Sequence, residues 1–188
     1  MENTIETLWS SSESNQNSES YFTIKKTRGY YLFAQRAGVD SIAFILYNAD
    51  RQKYALIHES KPPLDGIDYR ASLITAFGGS IDMGDAVTYQ QICQTEVAEE
   101  AGYNVPLSNI HSIGKTLVST QMSQMCEGFL VDVTGIPKEQ KAEWEVLESS
   151  TINGDRVLWM SYDEVMENGD WKSVYIMTQA KYKGISIL

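Results

Sequence analysis

One run of residues, Ser41-Ile42-Ala43-Phe44-Ile45-Leu46-Tyr47, constrains the fold of this chain more than any other feature. Its length suits a single strand, and a strand that is apolar without alternation has to be covered on both faces. Helices packed on the two sides of a sheet supply that cover, so the run predicts an α/β sandwich. The neighbouring segments agree with it. Tyr21–Gln35 is rich in aromatic and β-branched residues and reads as strand. Tyr54–Ile57 returns as a strand after the turn residues Asn48-Ala49-Asp50-Arg51, until Lys61-Pro62-Pro63-Leu64-Asp65-Gly66 breaks it. Ser72–Phe77 is a further short strand, halted at Gly78-Gly79. Strands are also expected at Ile110–Ser119, Gly128–Val133 and Val157–Met160. Helices are expected over Lys138–Leu147, Tyr162–Glu167 and Trp171–Lys183.

With 188 residues the chain suits one domain. Ser10–Ser20 contains no apolar residue and cannot offset its own ordering entropy, so residues 1–20 read as a flexible extension and 21–188 as the domain. Fifteen basic against 25 acidic side chains leave a net charge of −10, which excludes nonspecific attraction to nucleic acid. No stretch approaches the roughly 18 apolar residues of a membrane span, and Met1–Glu6 lacks the pattern of a secretory signal. Cys93 and Cys126 fit neither a zinc pair nor a disulfide framework, so a cytoplasmic protein is expected.

Between Thr88 and Ala101 the period changes. Cys93, Val97 and Ala101 recur every four residues, Thr88 and Gln91 have capping-box spacing, and Gly102 suits the far end of a helix. Glu96, Glu99 and Glu100 stand three and four positions apart, which is expected to bring all three to one side. Like charges at such spacings cost about 0.2–0.5 kcal/mol per pair unless something offsets them. Magnesium or manganese would do so, because both prefer oxygen ligands and bridge carboxylates to phosphates. A solvated acidic helix face is the plainer reading of the three acids alone.

Their setting decides between the two. Gly79-Ser80-Ile81-Asp82-Met83-Gly84-Asp85 leads, through nine residues, to Thr95-Glu96-Val97-Ala98-Glu99-Glu100-Ala101-Gly102-Tyr103. The segment resembles the Nudix box, a loop–helix–loop in which a glycine and a loop acid precede R-E-U-x-E-E-x-G-U, U being apolar. Gly79, Glu96, Val97, Glu99, Glu100 and Gly102 match. The spacer is two residues longer than the family's, Asp85 stands for Glu, and Thr95 stands for Arg. The resemblance implies a Nudix-type α/β/α sandwich with a mixed central sheet. It also implies a magnesium-dependent hydrolase, manganese being the other candidate cation.

Carried over by position, Glu96, Glu99 and Glu100 would be the catalytic acids. With the Gly79 carbonyl they would also hold the metal, and Asp85 would brace the loop. Families often add an acid from outside the box, for which Glu143, Glu145, Glu148 and Asp155 are candidates. Lys61, Arg70 and, in the loop Ser119–Cys126, Gln121 are candidate substrate contacts. The Met122/Met125 pair reads as packing, and His111 as a strand-end or surface residue. The resemblance is nearest to hydrolases of ADP-ribose and nucleoside diphosphate sugars, although the proline-containing ADP-ribose signature is absent. It therefore implies a small-molecule nucleotide substrate, no nucleic acid and no membrane partner, and a homodimer paired through Tyr21–Gln35. Two other functions stay open, a catalytically weak nucleotide-binding or sensor module and a clean-up hydrolase of dinucleoside polyphosphates or nucleoside triphosphates. Thr95 cannot hold Glu96 as a guanidinium fork would. The loss implies slower chemistry, a substitute cation such as Lys115, or a fold kept for binding alone, and Thr95→Arg is expected to lower the magnesium requirement if the missing fork limits the site.

Overall fold

The computed structural model describes residues 5–10, 22–27, 31–36, 40–60, 72–81, 87–138 and 156–185. In chain order the strands before the long helix are β1 (Glu6–Ser10), β2 (Phe22–Lys26), β3 (Leu32–Arg36), β4 (Ser41–Asn48), β5 (Lys53–Ser60), β6 (Ser72–Thr75) and β7 (Phe77–Ser80). After α1 (Tyr89–Ala101) come β8 (Ile110–Leu117), β9 (Met125–Asp132), β10 (Arg156–Met160), α2 (Tyr162–Asn168) and α3 (Trp171–Tyr182).

The apolar run is the centre of the sheet. Strands follow the order β10-β5-β4-β9-β8, with β6 beside β5 and β7 beside β4. β4 and β9 run parallel while the other neighbours are antiparallel, so the sheet is mixed. Residues Ile42 to Tyr47 are at most 2% exposed. Alternate side chains divide between two cores. Ile42, Phe44 and Leu46 face α1 through Ile92, Cys93 and Val97, together with Phe77 and Phe129. Ala43, Ile45 and Tyr47 face Val165 of α2 and Ile176 and Met177 of α3, together with Tyr54 and Leu130. This is the α/β/α sandwich the run requires.

The helix ends are fixed locally. The Thr88 hydroxyl accepts from the Gln91 N–H at 3.2 Å while the Gln91 side chain accepts from the Thr88 N–H at 2.9 Å. Gly102 closes α1 at φ 74°, a left-handed conformation that glycine takes without strain. At α2, Glu164 accepts from the Ser161 N–H and hydroxyl and pairs with Lys53 at 3.2 Å. Those bonds hold its carboxyl well below the usual range, at about 2. Asp170 caps α3 through the Ser173 N–H and accepts from the Thr75 hydroxyl at 2.9 Å, tying that helix to the end of β6.

Several sequence expectations need correction. Gly78-Gly79 does not end a strand. Both glycines lie inside β7, paired with Ala43 and Ile42 of β4. Glu6–Ser10, within the stretch read as a flexible extension, is a strand pairing with β2. Tyr21–Gln35 contributes two strands to a separate antiparallel sheet, β1-β2-β3. That small sheet docks on the main one through β3. Ala34 donates its N–H to the Gln121 carbonyl at 2.8 Å, and its carbonyl accepts from the Ser123 N–H at 3.0 Å. Tyr31 donates its hydroxyl to the Thr120 carbonyl. The helix expected over Lys138–Leu147 lies outside the described residues apart from Lys138, which is not helical. Among the described residues no helix is long and apolar enough to cross a membrane.

Candidate active site

The register of the sheet places four strands side by side beneath α1. Gly79 of β7 pairs with Ile42 of β4, Ile42 pairs with Glu127 of β9, and Glu127 pairs with Lys115 of β8. Alternation puts Glu127 on the same face as Phe129 and Val131, which is the face α1 covers. Glu96 descends from the helix onto Gly79. A Cβ built on Gly79 would stand 2.4 Å from Glu96 Oε1, so only a glycine lets the carboxylate lie against this backbone. Glu100, one turn on, is half-buried, and its Oε2 is shielded from solvent. Below them the Cys93 thiol is pushed up by burial first, then by the negative field of Glu96, Glu127 and Glu100.

Glu99 does not join them. It is exposed and opens with Thr95 and Ala98 onto a hollow of about 580 Å³ bounded by Asn104–Pro106. At 100° per residue the three acids span an arc of about 100°, with Glu99 at its exposed edge while Glu96 and Glu100 are half-buried. Among the described residues no three His, Cys, Asp or Glu side chains are placed to hold a metal ion together. The donor chemistry nonetheless fits magnesium. Glu96, Glu100 and the Gly79 backbone offer hard oxygen donors, and magnesium takes only one or two carboxylates while keeping waters and substrate phosphates.

Two residues that sequence reasoning missed organise the surroundings. Glu127 accepts a 2.7 Å hydrogen bond from the Ser112 hydroxyl and stands across from Lys115. Asp40, just before β4, ties four pieces together. Its carboxylate accepts from the Tyr89 hydroxyl at 2.8 Å and the Met125 N–H at 3.1 Å, and it pairs with Lys115 at 3.7 Å. Its carbonyl accepts from the Ile81 N–H at 3.2 Å, so both ends of the loop before α1 are anchored to one residue. Lys115 lies 3.7 Å over the Tyr89 ring. Burial pulls its pKa down, but Tyr89, Asp40 and Glu127 outweigh that and leave it raised. The strand period alone could have aimed Glu127 at the helix; nothing local in the sequence marks Asp40.

Thr95 is exposed and its hydroxyl donates to the Gln91 carbonyl at 3.2 Å, so a longer side chain there has room. Gln121 is exposed, in the loop fastened to β3. His111 lies in β8 and is half-buried. Lys61, Arg70, Asp85, Glu143, Glu145, Glu148 and Asp155 lie outside the described residues.

A single sheet between helices, with a glycine-bearing strand under a carboxylate helix, defines the Nudix-type fold as the class. One solved structure that matches is a crystal structure of an ADP compounds hydrolase, with a TM-score of 0.66 over 100% of this chain and 98% of that one. Sequence identity is 11%, so the likeness is one of fold. No protein-family model and no curated protein sequence matches this chain.

The contact between Gly79 and Glu96 generates a prediction. In Gly79→Ala the new methyl meets the mobile end of a side chain, so the protein folds but Glu96 is displaced. Magnesium or manganese affinity, measured by calorimetry, is expected to fall at least tenfold. Gly78→Ala, whose methyl meets only the Ile42 carbonyl at 3.3 Å, is expected to keep it. Equal affinity in the two variants would detach Gly79 from the metal site.

Proposed function

We propose that this chain is a divalent-metal-dependent hydrolase that cuts the pyrophosphate of a nucleoside diphosphate linked to another moiety. ADP-ribose or a nucleoside diphosphate sugar is the leading substrate class. The observation that carries the reading is the Glu96 carboxylate lying against Gly79, with Glu100 on the same side of α1. The likeness to an ADP compounds hydrolase supports it at the level of fold.

In this reading Glu96, Glu100 and the Gly79 carbonyl would hold magnesium, with Glu99 at the exposed edge of the same helix. When bound, magnesium neutralises phosphate charge and orients the attacking water. The water oxygen bonds to phosphorus, the bridging P–O bond breaks, and a carboxylate takes the proton. Glu127, fixed by Ser112, holds its charge beside the reacting centre as an acid from outside the box. Asp40 positions the loop and Lys115 rather than touching substrate.

Glu99 pointing outward and Thr95 lacking a guanidinium favour the second reading, a weakly catalytic nucleotide-binding module. A panel of ADP-ribose, nucleoside diphosphate sugars, dinucleoside polyphosphates and nucleoside triphosphates, assayed with magnesium, separates them. The first two classes are expected to release monophosphate. Glu100→Gln is expected to lower kcat about a hundredfold or more, since a metal site supplies several kcal/mol of charge stabilisation. Its thermal stability should hold or rise, because one repulsive pair is gone. No product from any compound would favour the binding module. Unchanged turnover in Glu100→Gln would remove that residue from the site.

We further propose a homodimer formed through β1–β3. Ile5, Leu8, Trp9, Tyr31 and Leu32 are all more than 40% exposed on or beside this small sheet. A dimer mass by light scattering at micromolar concentration is expected. Conversion to monomer in Trp9→Ser with Leu32→Ser would locate the contact, and a monomeric wild type would end the proposal.

A further inference from the structure

A second hollow, of about 370 Å³, lies at the C-terminal end of α1. Its cause is local. In the row Trp159–Ala55–Leu46 across β10, β5 and β4, the alanine methyl leaves the space between a large ring and a leucine unfilled. α1 stops at Ala101 and turns away at Gly102, so no helical side chain fills the space from above. Leu46, Phe77 and Ala101 give the hollow an apolar floor, and the rings of Tyr103 and Trp159 stand at its side. Two cations complete the lining, Arg51 from the turn between β4 and β5 and Lys138 beyond β9. The Arg51 guanidinium sits 5.4 Å from the Trp159 ring centroid, over the ring.

Such a lining has a specific chemistry. The volume falls in the range of small-molecule sites, about 300–1,000 Å³. Aromatic rings accept a flat heterocycle by stacking, while Arg and Lys bind phosphate oxygens. In a chain with a net charge of −10, two cations on one small cavity are an exception to the general field. The hollow also begins where the carboxylate run ends, since Ala101 follows Glu100 on the face that packs against the sheet. We infer that this hollow binds the nucleoside monophosphate half of the substrate, its base stacked with Trp159 and Tyr103 and its phosphate reached by Arg51 and Lys138. The inference rests on the hydrolase reading for the other half of the substrate, but not for the binding itself.

The test is calorimetry without metal, using AMP, adenosine, ribose 5-phosphate and inorganic phosphate as probes. Wild type is expected to bind AMP at least tenfold more tightly than ribose 5-phosphate. Trp159→Leu should erase that difference, and Trp159→Phe should restore most of it. Arg51→Gln should weaken AMP several-fold while leaving adenosine unchanged. If Trp159→Leu fails to fold, Tyr103→Leu takes its place, with the same loss expected. AMP binding as in wild type by a folded Trp159→Leu or Tyr103→Leu would overturn the inference, as would equal affinity of wild type for AMP and ribose 5-phosphate. Intact AMP binding with no hydrolysis of any compound would sink the hydrolase reading alone. Hydrolysis with an unchanged KM in Trp159→Leu would sink this inference alone.

Discussion

Burial of β4 on both faces is the constraint from which the rest of the structure follows. Six consecutive residues, Ile42 to Tyr47, have to leave water, and each large apolar side chain among them contributes about 1.5–3 kcal/mol when fully buried. One layer cannot cover both sides, so α1 packs on one face and α2 with α3 on the other. The site is a consequence of the same strand. The Ser41 end of β4 is flanked by β7 on one side and β9 on the other. Whatever stands at the level of Ile42 on those neighbours therefore faces α1, and the residues there are Gly79 and Glu127.

Much of this was legible in the sequence because the signals were local. The sandwich followed from the unbroken apolar run, and α1 from its four-residue spacing and the Thr88–Gln91 capping pair, both of which the structure reproduces. The failures were also physical. Gly78-Gly79 looked like a terminator because glycine weakens strands in isolation, yet pairing with β4 holds it extended while its missing Cβ makes room for Glu96. β1 was hidden because Glu6–Ser10 gains its strand state only from pairing with β2. Spacing groups Glu99 with its neighbours but does not say which side of a helix the sheet occupies, so its place at the exposed edge was not legible. Asp40 carries no local mark because its four partners come from different parts of the chain.

Electrostatics supports the proposed cation. The Cys93 thiol is driven toward its neutral form by burial first, and then by the negative charge of Glu96, Glu127 and Glu100. Lys115 is bound instead to Asp40 and the Tyr89 ring, where it steadies the loop before α1. Thr95 offers no charge at all. The carboxylates thus have hard oxygen donors in excess over nearby positive charge, the condition under which a divalent ion binds most favourably.

The position of that ion is the most direct measure of this account. Crystals grown with manganese and a non-hydrolysable ADP-ribose analogue would show it by anomalous scattering. The account predicts a manganese peak between the Gly79 carbonyl and the carboxylates of Glu96 and Glu100, with the analogue's phosphates completing its shell. A manganese peak remote from Gly79, or an analogue bound with none, would contradict it.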